Sequence, residues 1–288
     1  MFAGKFASSQ SHLEEALALY DPISHHSLVH QVGIHPQVVS QAFLMIILFC
    51  LGYPDQALAQ SDAAIAEARR LAHPPSLALS LSIGARLLSL VGDNAALNER
   101  AGELVAVATD QGFPHWQAEG IIFRGWVEVK DGDVADGTSL LRAGSAAYRA
   151  TGAELWMPQY IALLAAGCEI AGKIEEPLTL LDDALQIAER TGERWFAAEL
   201  NRHKGQLLLR QGHTEAAGEL YCKAFSIAEE QGAKLCELRA ATSLARLRRD
   251  QGRQAEARGL LAPVYGWFTE GFDTPDLRDA KALIDELA

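Results

Sequence analysis

The chain contains few of the residues that mark secreted proteins. Its 288 residues include four cysteines, and no two of them form a CxxC pair or a dense disulfide framework. They stand at Cys50, Cys168, Cys222 and Cys236. We therefore expect reduced thiols, most of them buried.

Long apolar runs are also missing. Residues 42–51 are the most apolar stretch, and these ten residues are about half of the ~20 that a membrane-spanning helix needs. The start, MFAGKFASSQ, lacks the apolar core of a signal peptide. We expect a cytoplasmic location and no membrane partner.

Positive charge is in deficit. The chain has 25 lysines and arginines against 37 acidic residues, a formal net charge of −12, which disfavours contact with nucleic-acid phosphates. Basic residues gather only late in the chain, at Lys234, Arg239, Arg246, Arg248, Arg249, Arg253 and Arg258. We interpret this cluster as a solvated face, with a surface for an acidic partner as the alternative.

Glycines recur with a period of forty residues. One series stands at Gly52, Gly92, Gly132, Gly172, Gly212 and Gly252, and a second series, twenty residues out of phase, stands at Gly112, Gly152, Gly192 and Gly232. Glycine suits the left-handed position that ends a helix. Since alanine and leucine dominate between the glycines, the sequence predicts helix pairs, each with a helix A, a tight turn and a helix B.

Small residues occupy fixed places around these turns. Seven residues before each turn glycine stand Met45, Ala85, Gly125, Ala165, Gly205 and Ala245, and twelve after it stand Ala64, Leu104, Gly144, Ala184, Ala224 and Val264. Small side chains at these offsets indicate close crossings between neighbouring helices.

This arrangement resembles the tetratricopeptide (TPR) repeat. The unit around Gly212 matches best, with Gly205, Ala217, Tyr221 and Ala224 in place, whereas Leu97 and Pro177 depart from the pattern in two other units. The resemblance implies an all-α, right-handed superhelical solenoid of antiparallel helix pairs with about forty residues per repeat.

The predicted organisation is a single solenoid over 1–288. Helix-pair repeats are expected at 35–72, 73–112, 113–152, 153–192, 193–232 and 233–271, after an orphan helix B at 1–21 and before a capping helix at 273–288. Because no helix A precedes the orphan helix, we expect either the C-terminal part of a longer protein, which we favour, or an atypical cap.

Several phrases go beyond the generic repeat. They are LGYPDQAL, QGFPHWQAEGIIFRGW, RATGAELWMPQYIALLA, ERTGERWFAAELNRHKGQLLL and LLAPVYGWFTEGFDTPDLRDAKALIDEL. Together they resemble the C-terminal TPR region of large bacterial signalling proteins, which carry a nucleotide-cyclase or DNA-binding domain and an AAA-type ATPase before it. The resemblance implies a regulatory or sensor arm.

Catalytic and metal motifs are not found. The sequence has no GxxxxGK[ST], HExxH or GxSxG, and Asp182 and Asp183 are adjacent on a helix, so at most one can face a given groove. His25, His26, His30 and His35 are dense enough for a transition metal. No carboxylate or cysteine accompanies them at ligand spacing, so we expect these histidines to lie in a loop and to bind no metal. Because the catalytic motifs are missing, we expect no cofactor and no enzymatic activity.

Helix A of a TPR repeat lines the concave surface, so the resemblance implies that its inward positions meet the ligand. These positions are Arg86, Glu119, Trp126, Gln159, Glu199, Arg202, Gln206, Arg239 and Arg246. The alternative is that Arg202 and Arg246 merely pair with Glu199 and other neighbours.

A second candidate surface is aromatic. Trp116, Trp156, Trp195 and Phe196 stand at the starts of helices A, where they either pack between repeats or form a ridge for a peptide.

We expect a non-catalytic module that binds a protein, a peptide or other domains of a parent protein. The alternatives are a sensor for a small-molecule effector and a stand-alone adaptor that self-associates. An enclosed apolar pocket would favour the small ligand, and a polar trough the peptide.

Overall fold

The computed structural model describes residues 1–21, 24–25 and 27–288, and for His30 and Val32 it describes the backbone only. Within these residues every regular element is an α-helix. The fifteen helices are α1 (Phe6–Leu19), α2 (Leu28–Val32), α3 (Pro36–Leu51), α4 (Pro54–Arg70), α5 (Pro74–Val91), α6 (Asn94–Asp110), α7 (Pro114–Asp131), α8 (Val134–Ala150), α9 (Met157–Ile170), α10 (Glu175–Thr191), α11 (Ala197–Arg210), α12 (Thr214–Gln231), α13 (Lys234–Asp250), α14 (Gln254–Tyr265) and α15 (Pro275–Glu286). The prediction of an all-α solenoid is confirmed.

Glycine ends the helices at the predicted turns. All six glycines of the first series have positive φ, from +77° at Gly252 to +106° at Gly132. Any side chain is strained in this left-handed conformation, so the forty-residue glycine period follows from how each helix stops. The start of α6 is stabilised by a side-chain N-cap, in which the Asp93 carboxylate accepts a hydrogen bond of 3.0 Å from the Ala96 backbone N–H.

The helices form two compact units. The N-terminal unit comprises Ala7–Phe49 and Pro54–Glu154, and the C-terminal unit comprises Met1–Phe6, Cys50–Tyr53 and Leu155–Ala288. In the N-terminal unit α5 packs against α6 and α7, and α7 against α8. In the C-terminal unit α9, α11 and α13 each pack against the helix B that follows. The helix α11 also packs against α9 and α13, and α13 packs against α15.

Among the helices that the structure describes, α5 alone is long and apolar enough to cross a membrane. However, 67% of its apolar window is buried inside the protein, and the helix carries the fully buried Arg86. These features are those of a core helix, and burial in the protein accounts for its hydropathy.

The cysteines are free thiols, as the sequence predicts. Cys50, Cys168 and Cys236 are buried and Cys222 is exposed. Burial raises the pKa of the Cys236 thiol to about 12, so it stays protonated at neutral pH. A protonated thiol is a poor nucleophile and a poor metal ligand.

Candidate functional site

The predicted site residues of the C-terminal unit meet around Arg239 on α13. Its guanidinium donates three hydrogen bonds to Asp276 on α15, of 2.7 to 3.0 Å, and one of 3.3 Å to Glu199 on α11. Burial lowers the pKa of Arg239, but the carboxylates of Asp276 and Glu199 outweigh this and raise it. Arg239 therefore remains charged and connects three helices.

Glu199 has a second partner on its own helix. Arg202 binds it with two hydrogen bonds of 3.0 Å each, in the planar geometry that matches guanidinium to carboxylate. Burial alone would raise the pKa of the Glu199 carboxyl, but the charges of Arg202 and Arg239 lower it below its ordinary value. A buried charge with two guanidinium partners is a stable arrangement only while both partners stay.

Glu169 extends this pattern to α9. Its carboxylate lies 2.8 Å from Nε2 of His203, accepts a hydrogen bond of 3.0 Å from Gln206 and lies 3.0 Å from the Arg210 guanidinium. Burial raises the pKa of Glu169, but His203, through its hydrogen bond and charge, and Arg210 and Gln206 lower it overall. Gln206, one of the predicted site residues, thus helps to hold the Glu169 carboxylate in place.

At the solvent edge Arg246 pairs with Asp279 of α15, and both side chains are nearly half exposed, at 44% and 49%. A small cavity of about 80 Å³ opens between this pair and the Arg239 cluster, and its lining includes Arg202, Arg239 and Arg246. We call this surface the charged A-helix face and define it as Glu169, Glu199, Arg202, His203, Gln206, Arg239, Arg246, Asp276 and Asp279. The structure thus brings three of the predicted arginines together.

Three of the other late basic residues also have acidic partners. Lys234 lies 2.7 Å from Glu237, Arg249 lies 2.8 Å from Glu286, and Arg253 contacts Glu256. These ion pairs favour the interpretation of the cluster as a solvated face except at Arg239, whose side chain is only 14% exposed.

Arg86 and Glu119, in the N-terminal unit, are not open to solvent. Arg86 is 0% exposed, donates a 3.2 Å hydrogen bond to Glu119 and lies over the Phe123 ring, 5.6 Å from its centre. Glu119 also accepts a hydrogen bond from Ser82. The expectation that Arg86 and Glu119 line an open groove is wrong, because the two charges satisfy each other inside the packed helices.

Gln159 is likewise fully buried, and Glu199 is largely buried. The expectation that these two side chains meet a ligand is therefore corrected: Gln159 is enclosed, and Glu199 belongs to the charged A-helix face only as the buried partner of Arg202 and Arg239. Trp126 is partly exposed, with Lys130 Nζ 5.7 Å from the centre of its ring. Trp126 keeps the accessible position that the sequence predicts, and its role in binding stays a prediction.

The aromatic residues at the starts of α9 and α11 pack against each other. The rings of Trp156 and Trp195 meet edge to face with centres 5.1 Å apart, and Trp195 contacts Phe196 at 5.0 Å. The Glu193 carboxylate accepts hydrogen bonds from the Trp156 backbone N–H at 3.0 Å and the Trp195 indole N–H at 2.8 Å. Trp156 and Trp195 are both buried. For this pair the prediction of packing between repeats is therefore correct, and the alternative of an exposed aromatic ridge for a peptide is wrong.

The N-terminal segment Met1–Phe6 covers this aromatic cluster. The Phe2 carbonyl accepts hydrogen bonds from the backbone N–H groups of Arg194 and Trp195, at 2.7 and 3.0 Å. The Phe2 ring meets Trp156 at 4.8 Å, and the Phe6 side chain is fully buried. The segment is thus a structural part of the C-terminal unit, which the sequence did not reveal.

The structure describes the side chains of two of the four histidines, His25 and His35. His25 Nδ1 accepts a hydrogen bond from the Asp21 N–H, and His35 Nε2 lies 2.9 Å from the Tyr20 hydroxyl. His26 and the His30 side chain lie outside the described residues. Among the residues that are described, no group of three or more His, Cys, Asp or Glu side chains could hold a metal ion.

Comparison with known proteins supports the architecture. No protein-family model matches the chain. An uncharacterized protein of Rhizobium meliloti (strain 1021) is 29% identical over 247 residues, which cover 85% of this chain and 24% of that protein. The chain therefore spans about a quarter of the length of the curated relative it matches.

Two solved structures resemble nearly the whole chain. A Rap protein complexed with Competence and Sporulation Factor matches with a TM-score of 0.65 and 11% identity, over 99% of this chain and 79% of that chain. The chain has a TPR-like fold. A Signal Transduction ATPase with Numerous Domains (STAND) protein with a tetratricopeptide repeat sensor, from Pyrococcus horikoshii, matches with a TM-score of 0.57 and 13% identity, over 98% of this chain and 42% of that chain.

Several contacts between successive helix pairs of this TPR-like fold share one separation in the sequence. The pairs Ser82–Glu119, Trp156–Glu193, Glu169–Gln206, Arg239–Asp276 and Arg249–Glu286 are each 37 residues apart. That is one helical turn less than the forty-residue period. Sequence reasoning missed the acidic partners Glu169, Asp276 and Asp279, although a search for opposite charges at this separation finds Asp276 opposite Arg239.

Proposed function

We propose that the chain is a non-catalytic regulatory or sensor arm of a bacterial signalling protein and that it binds a protein or peptide partner on the charged A-helix face. The partner is either a separate molecule or another domain of the parent protein. The observation that carries the proposal is the convergence of Arg202, Arg239 and Arg246 around one small polar cavity with an exposed edge.

The buried and the exposed residues of the charged A-helix face have different roles. Arg239 and Glu199 are held by several partners, so they fix the spacing of α11, α13 and α15. Arg246 and Asp279 form an exposed ion pair, and such pairs contribute only ~0–1 kcal/mol to stability. This outer pair can therefore exchange partners with a polar ligand at small cost, while the inner cluster keeps its geometry.

The known proteins agree with a regulatory role. One similar solved structure is a Rap protein bound to Competence and Sporulation Factor, and the other is described as having a tetratricopeptide repeat sensor. The chain matches 42% of the STAND chain and 24% of its curated relative, as a module inside longer proteins does. We place the chain in the cytoplasm, where the predicted cyclase, ATPase or DNA-binding domains operate.

Arg246→Glu tests the face directly. Peptides selected from a random displayed library on the wild-type chain are measured by fluorescence anisotropy against Arg246→Glu and against Arg258→Glu, which makes the same charge change at an exposed site on α14. Losing a charge-assisted hydrogen bond of ~1.5–3 kcal/mol weakens binding by about tenfold or more. We expect this loss for Arg246→Glu and less than a twofold change for Arg258→Glu.

Two outcomes contradict the proposal: no peptide is recovered, or both variants bind the recovered peptides as the wild type does. Arg202→Glu is a poorer test, because it would place a second carboxylate against the buried Glu199. Helicity by circular dichroism should be unchanged in both chosen variants.

A further inference from the structure

The small cavity of the charged A-helix face has a lining that is mostly polar. Besides the three arginines named above, the lining consists of Thr242, Ser243, Asp276 and Asp279. Its volume of about 80 Å³ is well below the ~300–1,000 Å³ of sites that enclose a whole small ligand. The cavity can therefore receive one functional group of a partner but not a complete effector molecule.

Two of the three arginines have N–H groups left for a ligand. Arg202 donates to Glu199 from Nε and from one terminal nitrogen, and Arg246 donates to Asp279 from one terminal nitrogen. Among the described residues, the other N–H groups of these two guanidinium groups have no acceptor. Both side chains are accessible, at 23% and 44%. A ligand in the cavity can therefore accept hydrogen bonds from both.

The two aspartates of the lining are held differently. Asp276 accepts three hydrogen bonds from Arg239 and is 23% exposed. Asp279 contacts Arg246 through one oxygen and is 49% exposed. Because an exposed ion pair of this kind is weak, Asp279 can turn into water at small cost, whereas Asp276 cannot.

The hydroxyl groups of the lining are already used as donors. Thr242 donates to the Leu238 carbonyl at 2.8 Å, and Ser243 donates to the Arg239 carbonyl at 3.0 Å. The donors that remain for a ligand are therefore guanidinium N–H groups. At the cavity surface three guanidinium groups face two carboxylates, since Glu199, the third carboxylate, is buried behind the lining. This balance of charge favours an anion.

We propose that the cavity receives a side-chain carboxylate of the partner, from an aspartate or a glutamate, and that this carboxylate replaces Asp279 on Arg246. The inference rests on the proposed function, because it names the chemical group that the charged A-helix face recognises. A carboxylate matches the planar guanidinium of Arg246 and also accepts from Arg202. Asp279 is then an internal competitor that occupies Arg246 until the partner arrives.

The first experiment measures the coupling between the partner carboxylate and Arg246. The probes are the peptides selected on the wild-type chain, made with an amidated C-terminus, and each of their acidic residues is changed singly to the corresponding amide. One such change should weaken binding to the wild type about tenfold, as expected for a lost charge-assisted hydrogen bond. The same change should alter binding to Arg246→Gln less than twofold, because the group that recognises the carboxylate is gone.

The second experiment removes the competitor. Asp279→Asn frees Arg246 from its ion pair and should bind the acidic peptides about threefold more tightly, or better, because more molecules are ready to bind. Asp285→Asn is the matched control: it makes the same charge change on α15, where Asp285 pairs with Lys281, and should bind as the wild type does. Circular dichroism should show the same helicity for both variants.

Several results would overturn the inference while the proposed function stands. They are peptides that bind but depend on none of their acidic side chains, peptides that depend on a lysine or arginine at Arg246 instead, and peptides that bind only with a free C-terminal carboxylate. An Asp279→Asn variant that binds no more tightly than Asp285→Asn would show that Asp279 is no competitor. Failure to recover any peptide overturns the proposed function and this inference with it.

Discussion

Gly125→Ala tests the close crossing of α7 and α8. A Cβ atom built at Gly125 would lie 2.8 Å from both the Gly137 carbonyl oxygen and the Leu141 backbone nitrogen. Ordinary contacts of a Cβ begin at 3.4 Å, so the two helices must separate by about 0.6 Å. Both obstructing atoms belong to the backbone of α8, so no change of rotamer relieves the overlap.

Two effects of opposite sign determine the magnitude. An alanine in the middle of a helix is more favourable than glycine by ~1 kcal/mol. An added methyl group in a filled core costs ~1–3 kcal/mol, and we take the upper part of that range because the obstacle is rigid backbone. The net expectation is a loss of ~1–2 kcal/mol in the free energy of unfolding.

Gly102→Ala is the matched control. Gly102 lies in the interior of α6, and a Cβ there meets nothing within 4 Å. Gly102→Ala should gain only the higher helix propensity of alanine, ~1 kcal/mol in the free energy of unfolding. The free energies of unfolding of the two variants should therefore differ by ~2–3 kcal/mol.

The assay is urea unfolding followed by circular dichroism at 222 nm, with the free energy taken by linear extrapolation. If Gly125→Ala stabilises the chain as much as Gly102→Ala does, the α7–α8 crossing is not limited by backbone contact. The explanation of the small residues at fixed offsets from the turns would then be wrong.

Two further predictions concern the C-terminal unit. The pKa values of Glu199 and Glu169 are lowered in the folded state, so the unfolded state binds more protons, and the free energy of unfolding should fall as the pH decreases below the ordinary glutamate pKa of ~4.3. Glu199→Gln should be less stable than the wild type at pH 7, and its melting temperature should fall less steeply between pH 7 and pH 3. Parallel melting-temperature profiles for the two proteins would contradict this. Phe2→Ala removes the ring from Trp156 and should shift tryptophan emission to longer wavelength and lower the melting temperature, whereas Leu19→Ala, at a side chain that is 69% exposed, should do neither.

The helix boundaries and turns were predictable because their causes are local. At each of the six predicted turns a glycine with positive φ ends the preceding helix, and this depends only on the neighbouring residues. The small residues at the crossings were predictable for the same reason, since Gly125 and Gly205 occupy the same offset from their turns.

The candidate site was predictable only in part. The repeat period placed Arg202, Arg239 and Arg246 on equivalent helices, and the structure brings them to one cavity. The same rule placed Arg86 and Glu119 on an open surface, where it was wrong, because exposure depends on which neighbouring helix covers a side chain. Periodicity shows which way a residue points on its helix and not what lies above it.

The sequence by itself determined the architecture of this protein: helix pairs with a period of forty, their turns and their close crossings. Each of these depends on backbone conformation and side-chain size within a few residues. Only the tertiary structure decided which charges pair across 33 to 40 residues and that Met1–Phe6 packs on the tryptophans of α9 and α11. These features need helices that are distant in the chain to lie side by side, and local patterns do not specify that.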